Sequence, residues 1–178
     1  MIAGKLPLAL AVAIPVVAGC QASVGTGGFD YAQLEQAITD ELNANYKELD
    51  RQVSGVDCPR QQQTPEAGDT FVCKADLDGN PVRVQVTIAE GEAEGEGKAD
   101  FKTMDKVFDL QRTAADLEGQ ISAQVGFPVT VTCGDGLKIV EIAQSFECEA
   151  ADPQGDTRTV RVTVGPVGGE DSWEIVEQ

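Results

Sequence analysis

Histidine is absent from the 178 residues, and cations are scarce: 13 Lys+Arg stand against 30 Asp+Glu, a net charge of −17. Without histidine there is no Ser-His-Asp or Cys-His nucleophile system, and the usual zinc ligand set is incomplete. So acidic a chain is a poor partner for DNA, RNA or an anionic membrane face, since phosphate binding needs clustered Lys and Arg. No Cys-x-x-Cys, Gly-x-Ser-x-Gly or P-loop sequence occurs. Thirty acids always offer carboxylate pairs, but no spacing singles one out. The reading is a protein that is not an enzyme and uses no cofactor and no metal. A hydrophobic share of 42% with 24% charged residues is that of a globular chain.

The one long apolar run, Leu6 to Val17, is too short to span a bilayer, which takes about 20 residues. With Lys5 before it, it fits the apolar region of a secretory signal peptide. It ends in Val17-Ala18-Gly19-Cys20, which resembles the lipobox of bacterial lipoproteins. That resemblance implies a signal peptide over 1–19 and a diacylglyceryl group, with its palmitate-type chains, on Cys20. Two acyl chains hold a protein at a membrane where one is marginal. Residues 20–29 are small and Gly-rich, as in a flexible tether.

The rest reads as one module written twice, over 30–103 and 104–178. Cys58 and Cys73 are 15 apart, as are Cys133 and Cys148, and the second pair follows the first by 75 residues. Phe71 and Phe146 keep that offset. Pro81–Thr87 resembles Thr159–Val164 at an offset of 78, which places Arg83 and Arg161 at equivalent positions and three inserted residues in the turn near Asp152–Gly155.

Each copy opens on a helical pattern. Leu34, Ile38, Leu42, Tyr46 and Leu49 share one face, with Asp30 as cap. Leu110, Ala114, Leu117, Ile121 and Val125 form the second stripe, with Thr113 as N-cap and Gly126 as terminator. Strands are expected near 53–58, 70–76, 81–89 and 98–103, then near 128–133, 144–150, 157–165 and 172–176, with turns at Asp78-Gly79 and Gln154-Gly155. The predicted class is α+β: two tandem repeats, each with one helix packed on a small four-stranded antiparallel sheet and one disulfide. Segment 104–112 has no Gly or Pro and is expected to run straight into the second helix.

Once Cys20 carries lipid, four cysteines remain outside the cytoplasm, and four allow three pairings. A crosslink inside a duplicated module is copied with it, which selects Cys58 with Cys73 and Cys133 with Cys148. A loop of this size contributes about 3 kcal/mol when closed, useful to a module too small for a thick core.

Cys58-Pro59, Gly68-Asp69-Thr70-Phe71-Val72-Cys73, Gly79 and Val82-x-Val84-x-Val86-Thr87 together resemble the family called domain of unknown function 4333. The second copy carries the likeness through Cys133, Phe146-Glu147-Cys148, Val160-x-Val162-Thr163-Val164 and Trp173-Glu174-Ile175. The resemblance implies a secreted protein or lipoprotein of high-GC Gram-positive bacteria and brings no activity with it.

Glu90–Gly97 holds four glutamates between the third and fourth strands but lacks the alternate ligands of an EF-hand. It reads as a solvated hairpin loop, with weak cation binding as the alternative. Gln61-Gln62-Gln63 reads as an exposed loop, Arg83 and Arg161 as partners of nearby acids, and Phe101 and Trp173 as core aromatics. The expected role is a noncatalytic, lipid-anchored binding or scaffold module at the extracytoplasmic face of the cell membrane. It is expected to be a monomer that binds no nucleic acid and contacts an envelope protein or ligand of unknown identity. The alternative is a carrier holding a lipid or small molecule at the junction of the modules, since one 70-residue module is expected to be too small to enclose such a site.

Overall fold

The computed structural model describes residues 3–6, 29–61, 63–90 and 97–176. The predicted lipobox, Cys20 and the tether up to residue 28 lie outside the described residues, as do residues 91–96 of the acidic loop and Gln62. Among the described residues the class is mixed α/β, with two helices, antiparallel sheets and disulfides. The chain divides into two compact units between Asp105 and Lys106, and strand β1 (Ala3–Leu6) counts with the second.

In the first unit, helix α1 (Tyr31–Tyr46) starts where Asp30 accepts a hydrogen bond from the Gln33 amide at 3.0 Å. This satisfies one of the amide donors that a helix start leaves open. Leu34, Ile38, Leu42 and Tyr46, each one turn after the last, are all buried. A short 3₁₀ turn (Lys47–Leu49) follows and buries Leu49. The sheet is β2 (Val53–Asp57), β3 (Thr70–Leu77), β4 (Asn80–Glu90) and β5 (Gly97–Thr103), in that order and antiparallel. Alternation sets its faces: Phe71, Cys73, Ala75 and Leu77 on β3, and Val82, Val84, Val86 and Ile88 on β4, are buried. The hairpin turn puts Asp78 and Gly79 both at positive φ (53° and 78°), the geometry that matches strand twist. Beside it, the Ser54 hydroxyl and then the Gly79 amide donate to Asp76 and hold its carboxyl below the usual range.

Tyr46 is the deepest polar group of this core. Burial, and then the Asp105 carboxylate, push its hydroxyl well above the ordinary tyrosine value. The native state thus favours the neutral phenol. Its contribution is whole below about pH 10 and is lost as pH rises past that value, where the unfolded chain ionises first. In a Tyr31→Phe background Tyr46 is the only tyrosine. There, phenolate absorbance is expected to rise only together with loss of circular dichroism. Reversible ionisation near pH 10 in the folded protein would count against the burial argument.

In the second unit, β6 (Asp105–Asp109) starts at the division, pairs with β8 (Leu137–Glu141) and leads into α2 (Leu110–Val125). The linker therefore first forms a strand, rather than running straight into the helix. The cap also differs from expectation. Asp109 is the N-cap, its carboxylate accepting from the Gln111 and Arg112 amides at 3.1 Å each. Thr113 lies one turn inside, where its hydroxyl donates to the Asp109 carbonyl, and Leu110 is helical and buried. A carboxylate reaches two open amides at once, which decides the start against a threonine. Gly126 ends the helix at φ 81°, its amide bonded to the Ser122 carbonyl.

The second sheet runs β1–β11–β10–β9–β7, with β7 (Thr130–Thr132), β9 (Ser145–Ala151), β10 (Thr157–Thr163) and β11 (Asp171–Val176). Its added edge strand is β1, which lies antiparallel on β11 from Ala3↔Glu174 to Leu6↔Asp171. Phe108, Leu117, Ile121, Phe146, Val160, Val162 and Trp173 are buried in one core.

Candidate functional site

The structure joins Cys58 to Cys73 and Cys133 to Cys148. The first bond ties the end of β2 to β3 and the second ties the end of β7 to β9. Cys58 and Cys73 are both buried, while Cys133 is half-buried. Around the first bond, Glu35 of α1 accepts from the Cys58 amide (3.0 Å) and pairs with Arg60, whose guanidinium sits 4.5 Å from the Tyr31 ring centre.

Arg83 and Arg161 have acidic partners. Arg83 makes a forked pair with Asp105, whose carboxylate also accepts from the Arg83 amide at 2.8 Å. Arg161 lies 3.4 Å from Glu147 and from Glu174. Their positions are not equivalent, however. Arg83 pairs with Lys74 and Arg161 with Glu147 across their hairpins, and the cysteine offset of 75 turns Glu147 into residue 72. Arg161 therefore matches Gln85, which pairs with Val72. The offset along this strand is 76, not 78, so the second hairpin is longer by one residue rather than three. The valine pattern has a period of two, and a slip of two leaves it unchanged; only the hairpin register reveals it.

Phe101 and Trp173 are core residues, with Trp173 Nε1 donating to Gln120 at 3.1 Å. Of the glutamine run, Gln61 and Gln63 are exposed. Among the described residues no group of His, Cys, Asp or Glu is arranged to hold a metal ion, and no helix is long and apolar enough to cross a membrane.

Two features of the second unit have no forerunner in the sequence reading. The first is a buried ion pair. Lys106 Nζ lies 3.0 Å from Asp171 Oδ1 and 3.1 Å from the Gly169 carbonyl, and both side chains are almost wholly enclosed. Asp171 Oδ1 also accepts from the Gly165 amide at 2.7 Å, while Oδ2 is buried with no hydrogen-bond partner among the described residues. The pair fastens the 165–170 loop to β6. Gly165 is required there, because a Cβ would run into the Glu170 carbonyl oxygen.

The second feature is a cavity of about 330 Å³, within the range of roughly 300–1,000 Å³ usual for small-molecule sites. Ile121 and Val125 of α2, Val129, Ala150 of β9 and Ile175 of β11 form its walls, and Phe127, 45% exposed, stands at its lip. The β9–β10 turn adds Asp152, Asp156 and Arg158 to the lining, and the last two are exposed at the lip. Asp152 is committed to that turn, since its Oδ1 accepts from the Gln154 and Asp156 amides. The cavity is lined by residues of the second unit alone.

Known proteins add one likeness. Residues 15–92 match the family described as a domain of unknown function, DUF4333. Within the described residues the match takes in α1 and β2 to β4 and stops short of β5. No curated protein and no solved structure matches the chain.

Proposed function

We propose that the chain is a noncatalytic, lipid-anchored module of the extracytoplasmic envelope that binds a partner or ligand, held at the membrane through Cys20. The observation that carries this reading is the pair of disulfides with equal spacing. Disulfides persist in oxidising compartments outside the cytoplasm. The leader ending in Val17-Ala18-Gly19-Cys20 supplies the route there. Cleavage before Cys20 would remove Ala3–Leu6 with the leader and leave β11 as the sheet edge.

The two units are read as copies of one module, a helix on a four-stranded sheet. The support lies in matched details beyond the cysteines. Both helices have 16 residues. Gly68 and Ala143, equivalent at the offset of 75, both adopt positive φ. Their amides donate to Ile88 and Val164, and those two residues donate back to Asp69 and Gln144.

The anchor is tested by feeding cells a clickable palmitate analogue. The expected result is labelled protein in the membrane fraction, and loss of both label and membrane retention in Cys20→Ala. A Cys20→Ala protein that stays labelled and membrane-bound would reject the anchor.

A further inference from the structure

The cavity of the second unit has a physical origin if the two units are copies, and here the inference rests on that part of the proposed reading. Because both helices have 16 residues, their positions correspond one to one. The fourth, eighth and twelfth are buried in each: Leu34, Ile38 and Leu42 in α1, and Thr113, Leu117 and Ile121 in α2. The sixteenth differs. In α1 it is Tyr46, 1% exposed, followed by the 3₁₀ turn that buries Leu49. In α2 it is Val125, half-buried, followed at once by Gly126 and the exposed Phe127. The first unit fills the end of its helix–sheet interface with a tyrosine ring and a leucine. The second has neither there, and the cavity lies at that end, lined by Val125 and Phe127.

The chemistry of the walls and lip defines what fits. The walls are aliphatic, which suits an alkyl chain. Asp156 and Arg158, both exposed, lie two residues apart at the lip, so one carboxylate and one guanidinium flank the opening. The Arg158 Nη1 donates to the Thr157 carbonyl, which leaves further guanidinium donors for a ligand. A head group of both signs meets both residues. An anionic head would face Asp152, Asp156, the carbonyl end of α2 and a net charge of −17. We propose that this cavity binds an amphiphile with a single aliphatic chain and a zwitterionic head.

The test uses the full chain in lipid nanodiscs and a decyl phosphocholine bearing a diazirine in its chain. After irradiation, crosslinks are mapped by peptide mass spectrometry. They are expected to concentrate in residues 121–129 and 150–158. In Val125→Tyr, which supplies the ring found at the same place in the first unit, they are expected to fall by about tenfold as the side chain takes the ligand's volume. Ile175→Phe enlarges a side chain of the β11 wall and is expected to act alike, which covers the case in which Val125→Tyr fails to fold. A decyl sulfate probe with the same diazirine is expected to label several-fold less, and Arg158→Gln and Asp156→Asn each to lower phosphocholine labelling. Crosslinks spread along the chain, labelling unchanged in both filling variants, or equal labelling by the sulfate would overturn the proposal. Loss of labelling in the wall variant but not in Val125→Tyr would fault the correspondence of the copies while the cavity stands, so the two failures are distinguishable.

Discussion

Replacing Lys106 with methionine is expected to destabilise the second unit by about 3–5 kcal/mol, the largest effect of any single substitution argued for this chain. The reason is what stays behind. Asp171 is wholly enclosed, and one of its oxygens already lacks a hydrogen-bond partner among the described residues. Lys106 is the cation that balances it, at 3.0 Å. Without that charge the carboxylate keeps only the Gly165 amide, and a buried unpaired charge costs far more than a lost surface pair. Asp171→Asn is expected to act in the same direction by stranding the ammonium. The double variant Lys106→Met/Asp171→Leu removes both charges and is expected to recover much of the loss, less the roughly 1–3 kcal/mol cost of an unpaired Gly165 amide. Trp173, the only tryptophan and 2% exposed, reports this unit in a denaturant titration followed by fluorescence. A Lys106→Met loss below about 1 kcal/mol, typical of an exposed pair, would show that the site is wet.

What the sequence made legible follows period and spacing. The Val82, Val84, Val86 alternation carried β4, and the i, i+4 spacing of Leu34, Ile38, Leu42 and Tyr46 carried α1, because each element buries one face only. The ribbon of β6 and β8 left no such trace. Asp105, Lys106, Val107 and Phe108 are all buried, so β6 has no alternation to detect. Lys106 finds its partner 65 residues away, a contact that no local pattern encodes. The cavity was hidden for another reason: it depends on what is missing after α2. The signal lay in the comparison of the helix ends, where Tyr46 and the extra turn with Leu49 stand against Val125 and Gly126. A sequence slip of two along the valine strand gave Arg83 the wrong counterpart, because only the cross-strand register distinguishes offsets of 76 and 78.

The second large effect concerns the disulfides, and the two are expected to differ. Opening a loop of 15 residues removes about 3 kcal/mol in the chain-entropy account, and that part is shared because both separations are 15. The surroundings are not shared. Cys58 and Cys73 are 2% and 0% exposed, so Cys58→Ser/Cys73→Ser puts two hydroxyls into a dry site. Each hydroxyl left without a partner adds a cost of about 1–3 kcal/mol. Cys133 is half-buried, so Cys133→Ser/Cys148→Ser lets water serve one hydroxyl and is expected to lose closer to the entropic part alone. Access also sets the order of reduction, because a thiolate must reach a sulfur to attack it. In the folded protein a dithiol reductant is expected to open Cys133–Cys148 before Cys58–Cys73, as read by timed thiol alkylation and peptide mass spectrometry. Simultaneous opening would mean that global unfolding, not local access, controls both bonds. Opening of Cys58–Cys73 first would contradict the burial on which the larger loss for that pair rests.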